Sequence, residues 1–131
     1  MKMHRLLGAT VIIAASVGMT FAASAETVAY KIVDDGIPKS LTGKSGDAKA
    51  GRKVAYNRKT GNCLACHKLP IPEQQFHGEV GPDLKGVASR YSEAEIRLRI
   101  VNPKKFNDDT IMPAFYRDTG LTRVQKKWAG K

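Results

Sequence analysis

The run Gly61-Asn62-Cys63-Leu64-Ala65-Cys66-His67 contains the pattern C-x-x-C-H. Two thiols three positions apart on a helical turn can each add to a vinyl group along one edge of a porphyrin. The next residue then falls beneath the iron, so Cys63 and Cys66 become attachment points and His67 a metal ligand. This is the signature of one covalently held haem c. Three other chemistries use the same residue types. A disulfide between Cys63 and Cys66 would close a tiny loop and add little stability. A thioredoxin-like redox dithiol needs a strand before the motif and a helix after it, whereas here helix precedes and loop follows. A zinc site from Cys63, Cys66, His67 and His77 has enough ligands, but adjacent Cys66 and His67 project in different directions and the spacing fits no common finger.

An iron with one axial imidazole needs a second ligand. Met1, Met3 and Met19 fall in an N-terminal export segment, which leaves Met112 as the thioether of the mature chain. Pro113 follows at once and restricts Met112 to extended backbone, as suits a stiff loop that presents sulfur. The alternatives are a core methionine at 112 and a rival ligand in His77, ten residues beyond His67. A methionine and histidine pair raises the iron potential relative to two histidines. Within Gly81-Pro82-Asp83-Leu84, the Pro82 carbonyl is placed to accept from the ring nitrogen of His67 that faces away from iron, which would fix its tautomer. A plain structural turn is the other reading of that stretch.

The elements that must hold these groups are helical. Residues 46–57 carry Ala50, Val54 and Ala55 at helical spacing, with Asp47 suited to the first turn. Residues 68–90 hold Pro70, Pro72, Gly78, Gly81, Pro82 and Gly86, a density expected only of a loop. Ser92-Glu93-Ala94-Glu95 is a capping box, after which Ile96, Ile100 and Val101 predict one apolar helix face that Pro103 ends. Residues 104–113 form the loop that carries Met112. Beyond it, Phe115, Tyr116, Leu121 and Trp128 are expected haem or core contacts.

Two positive side chains in residues 1–5, an apolar run over residues 6–21 and the small-x-small triplet Ala23-Ser24-Ala25 predict a signal peptide, residues 1–25, cleaved after Ala25. The run is shorter than the roughly 20 residues of a spanning helix, so a periplasmic protein with no stable membrane anchor is expected over an uncleaved anchor. Removing 25 of 131 residues leaves 106, and losing Lys2 and Arg5 takes the net charge from +10 to +8. Residues 26–45, with Asp34-Asp35-Gly36 and Ile37-Pro38, read as an extended arm free to cover a partner, and residues 46–131 as the domain proper. The paired cations Arg52-Lys53, Arg58-Lys59, Lys104-Lys105 and Lys126-Lys127 are either solvated surface or a positive ring that steers an acidic redox partner. No basic-aromatic motif points to nucleic acid.

Gly61 to His67, the stretch Gly-Glu-Val-Gly-Pro-Asp-Leu at 78–84, Gly-Val-Ala-Ser-Arg-Tyr at 86–91, Val101-Asn102-Pro103, and above all Met112-Pro113-Ala114-Phe115-Tyr116 resemble the SoxX family. These are the monohaem cytochrome subunits of the SoxAX complex of sulfur-oxidising bacteria. The resemblance covers about residues 26–131. It implies an all-α, class I cytochrome c fold and a periplasmic heterodimer with SoxA. That complex joins thiosulfate to a cysteine of the carrier SoxYZ, an L-cysteine S-thiosulfotransferase reaction, with substrate chemistry on SoxA. The SoxX haem would pass the electrons, one at a time, toward a small cytochrome c. His67 and Met112 carry over as axial ligands, Cys63 and Cys66 as attachment points, and nothing resembles the substrate cysteine, so no catalytic residue is assigned. The class I fold also has a C-terminal helix close to Gly51, before which this sequence stops. That departure implies either a C-terminally truncated chain or a partner covering the gap. The competing function is a free monohaem cytochrome shuttling between respiratory or photosynthetic complexes. A haem-based gas sensor would need an open iron position, against which Met112 argues.

Overall fold

In a computed structural model of the chain, residues 27–126 are described. The expected signal peptide and Trp128 lie outside them. The described residues are helical and irregular, with helices α1 (Ala48–Tyr56), α2 (Val87–Arg90) and α3 (Glu93–Val101) and 3-10 turns at Cys63–Ala65 and Pro103–Lys105. The sole β feature among them is an isolated bridge between Val33 and Gly36. None of these helices is long and apolar enough to cross a membrane.

Local chemistry sets the helix starts. Asp47 caps α1, its carboxylate accepting from the Ala50 amide at 2.8 Å. Ser92 caps α3 with the full capping box: Glu95 N–H donates to the Ser92 hydroxyl, and the Glu95 carboxylate accepts from Ser92 N–H at 2.8 Å. Residues 68–90 are loop up to α2, a single four-residue turn that begins at Gly86 in the left-handed region (φ 66°).

The buried face of α3 differs from the expected one. Leu98 and Val101 are its buried residues, while Ile100 is 50% exposed and Ile96 half-buried. The reason is what covers the helix. Ile37 packs on Leu98 and Val101 to form the core, with Tyr30, Leu41 and Tyr116 against it. Residues 27–45 are therefore not a free arm. They are irregular, as their turn-rich composition predicts, but they strap α3. Gly36 passes so close that a Cβ there would lie 2.8 Å from the Ala94 Cβ. The Ile37 amide donates to the Ala94 carbonyl at 2.9 Å, and the Arg97 guanidinium donates to the Ile37 carbonyl. At the far end Val28 N–H donates to the Tyr116 hydroxyl at 2.6 Å and Thr27 to Asp118 at 2.7 Å. Phe115 and Leu121, expected to make contacts, are 46% and 50% exposed.

Candidate haem-attachment site

α1 leads into the site through a tight turn. Gly61 N–H and the Thr60 hydroxyl both donate to the Val54 carbonyl, at 3.0 and 2.9 Å, closing the C-terminal end of the helix. Asn62 then adopts left-handed backbone (φ 51°), which asparagine tolerates better than most residues. The chain turns at once into the Cys63–Ala65 turn, where His67 N–H donates to the Cys63 carbonyl at 2.9 Å. Both thiols are therefore on one turn, and neither is in a disulfide.

A second segment lies flat against this motif. Gly78, Gly81 and Leu84 donate their amides to the carbonyls of Leu64, Cys66 and Lys68 at 2.8, 2.7 and 2.9 Å. Two of these positions must be glycine. A Cβ on Gly78 would fall 2.2 Å from the Ala65 oxygen, and one on Gly81 would fall 2.4 Å from Cε1 of His67. The backbone at Gly81 thus covers one face of the imidazole. The adjacent Pro82 carbonyl is 2.7 Å from His67 Nδ1, as the sequence suggested. A carbonyl only accepts, so Nδ1 carries the proton and Nε2 keeps its lone pair. No protein group among the described residues bonds Nε2.

His77 has a different job. Its Nδ1 accepts from Leu69 N–H at 3.0 Å, and its Nε2 lies 3.0 Å from the Gln74 carbonyl. Both ring nitrogens are spent on backbone, which pins the loop and leaves none for a metal. Nor do three or more His, Cys, Asp or Glu side chains converge on a metal position among the described residues. The zinc alternative therefore has no geometry behind it. Burial pushes the Cys63 thiol up, with its backbone hydrogen bond opposing and the neighbouring Cys66 adding to the rise. That is the reverse of the lowered thiol a redox dithiol uses.

Met112 is half-buried in a loop tied at both ends. Asn107 N–H donates to the Pro103 carbonyl at 2.9 Å on the way out, and Phe115 and Tyr116 amides donate to the Ile100 and Val101 carbonyls on the way back. Between these, Lys104 Nζ donates to the carbonyls of Asp108 and Thr110 at 2.9 and 2.7 Å, and Met112 N–H donates to the Thr110 hydroxyl at 3.2 Å. A lysine reaching back over its own loop gives no periodic signal, so sequence reasoning missed it.

These residues fit a c-type haem. The thiols are free, the imidazole tautomer leaves Nε2 as the donor atom, and Val54 Cγ1 and Cys63 Sγ both lie within 3.4 Å of where a Gly61 Cβ would be. Among the described residues Val54, Ile100 and Ile111 are 50%, 50% and 82% exposed beside only five buried large aliphatic side chains, an apolar surplus that suits a large apolar prosthetic group.

No protein-family model matches the chain. Cytochrome c-550 of Bacillus subtilis (strain 168) is 32% identical over 128 residues, which span 96% of this chain and 98% of that protein. Among solved structures, the crystal structure of SoxXA from P. pantotrophus is similar with a TM-score of 0.70 and 34% identity, over 78% of this chain and 75% of that one.

Proposed function

Since this chain belongs to the cytochrome c family, as a SoxX-like monohaem c-type cytochrome, we propose that it is the electron-transfer subunit of a periplasmic, thiosulfate-oxidising complex of the SoxXA kind. In this reading Cys63 and Cys66 hold one haem c by thioether bonds, and His67 and Met112 are the axial ligands. The bound haem supplies a one-electron iron couple. The chain is exported and its signal peptide cleaved after Ala25, the stable partner is a SoxA cytochrome, the carrier SoxYZ delivers the cysteine that receives thiosulfate, and a small cytochrome c accepts the electrons. The transferase activity belongs to the assembled pair, with substrate chemistry on the partner.

The observation that carries the reading is the His67 environment. His67 Nδ1 donates to the Pro82 carbonyl, 2.7 Å between nitrogen and oxygen, so the ring presents Nε2 in one tautomer and one orientation. Gly81 limits ring rotation by close backbone approach. The three hydrogen bonds donated by the amides of residues 78, 81 and 84 keep both features in register with the thiols.

The test is expression in a host competent for cytochrome c maturation, with and without a cognate SoxA-type chain. The expected result is haem that survives a denaturing gel, co-purification of the two chains, and thiosulfate-dependent reduction only when both are present. Colourless protein overturns the haem reading. A second reading, a free monohaem shuttle, is equally consistent with similarity to a protein named only as cytochrome c-550. A haem-loaded monomer that exchanges electrons at full rate with respiratory complexes and binds no SoxA chain would establish that instead.

A further inference from the structure

Arg99 is held between two aromatic rings. Its guanidinium carbon is 3.9 Å from the ring centre of Tyr91 and 3.8 Å from that of Phe106. Nη1 donates to the Glu95 carbonyl at 3.1 Å, and the side chain is 18% exposed. The three stacked groups come from different places. Tyr91 precedes α3, Arg99 is in its last turn, and Phe106 lies just past the Pro103–Lys105 turn, on the outbound limb of the loop that carries Met112.

That loop starts and finishes at the same end of α3. Its return limb is fixed by the Phe115 and Tyr116 amides on the Ile100 and Val101 carbonyls, at 3.1 and 3.3 Å. The outbound limb is gripped at Phe106 by the Arg99 stack. A planar, weakly hydrated guanidinium can stack on both faces at once, and its attraction to each ring grows as water is excluded. A lysine ammonium is a point charge and cannot replace the plate.

We propose that Arg99 is a positioning residue for Met112: by clamping Phe106 against Tyr91 it restrains the loop and slows departure of the thioether from the iron. The inference rests on Met112 being the axial ligand. Its measure is the rate at which imidazole enters the ferric, haem-loaded full chain at saturating imidazole, a rate set by spontaneous loss of Met112. The midpoint temperature for loss of the red-edge absorbance band of methionine-ligated haem is the companion readout. Arg99→Gln and Phe106→Leu should each raise the limiting rate about tenfold and lower that midpoint. Arg99→Lys should behave like Arg99→Gln, because charge without the plate does not stack. Tyr91→Leu gives an independent variant should Arg99→Gln fold poorly. Limiting rates within about twofold of the parent in Phe106→Leu and Tyr91→Leu overturn the clamp, as does full restoration by Arg99→Lys. A parent protein without the band, or a Met112→Ala protein that keeps it, refutes the ligand assignment itself.

Discussion

At Gly81 the absence of one carbon decides whether the imidazole can lie where it does. A Cβ there would overlap three ring atoms of His67, at 2.4 to 2.8 Å, so the ring or the backbone would have to shift. Gly81→Ala should therefore sharply lower the yield of covalently haem-loaded protein. Pro82→Ala keeps the carbonyl that accepts from Nδ1 and should leave the yield near the parent's. Haem-stained gels normalised to total protein check both; equal loss in the two variants would mean that the proline ring, not the carbonyl, is what matters. The Pro82 contact was half-legible in the sequence: the Gly81-Pro82 step marks a turn whose carbonyl could reach His67, though a plain structural turn fitted the same residues. The Arg99 stack was not. Its two rings are eight positions before and seven after the arginine and both lie outside α3, so the helix pattern does not carry them.

Among the elements, α3 is the one on which both halves of the chain depend. Ile37 and Leu98 are each 1% exposed and face each other across the strap. Ile37→Ala or Leu98→Ala should each cost about 2 to 5 kcal/mol of folding stability, whereas Ile100→Ala, starting from a half-exposed position, should cost much less without haem. Denaturant unfolding of the three variants, followed by far-UV circular dichroism, gives the comparison. The start of α3 also carries a pH dependence. The Glu95 carboxyl is held below the usual carboxylate range by the Ser92 amide first, then the Ser92 hydroxyl, with a smaller contribution from Arg99. A lowered native pKa stabilises the fold fully above the unfolded value, and the gain is lost as pH falls through the native one. Stability of the parent should thus decline from about pH 5 toward pH 3 more steeply than that of Glu95→Gln, which keeps an acceptor but does not titrate. Identical slopes would remove Glu95 from the account. The two helix starts were readable because caps are local, a matter of three or four neighbouring residues. Which face of α3 is buried was not, since it depends on a segment some 60 residues earlier.

For the molecule as a whole, the formal charge of +10, or +8 for residues 26–131 alone, bears on how it would meet a redox partner. Docking to an acidic surface should slow several-fold between about 10 mM and 150 mM salt, because screening shortens from about 30 Å to 8 Å over that range. Stopped-flow electron transfer at varied ionic strength measures it, and a flat profile would leave the cations as solvated surface. The strap that crosses α3 has one more consequence. Ile37 needs Leu98 and Val101, and Thr27 and Val28 need residues 116–118, so these long-range contacts of the strap wait for the second half of the chain. During synthesis, which runs from the N-terminus, the apolar interior cannot shut until about residue 101 has emerged. Cys63, Cys66 and His67 come out well before that point, on a still open polypeptide, and Cys66 stays exposed once the chain has folded.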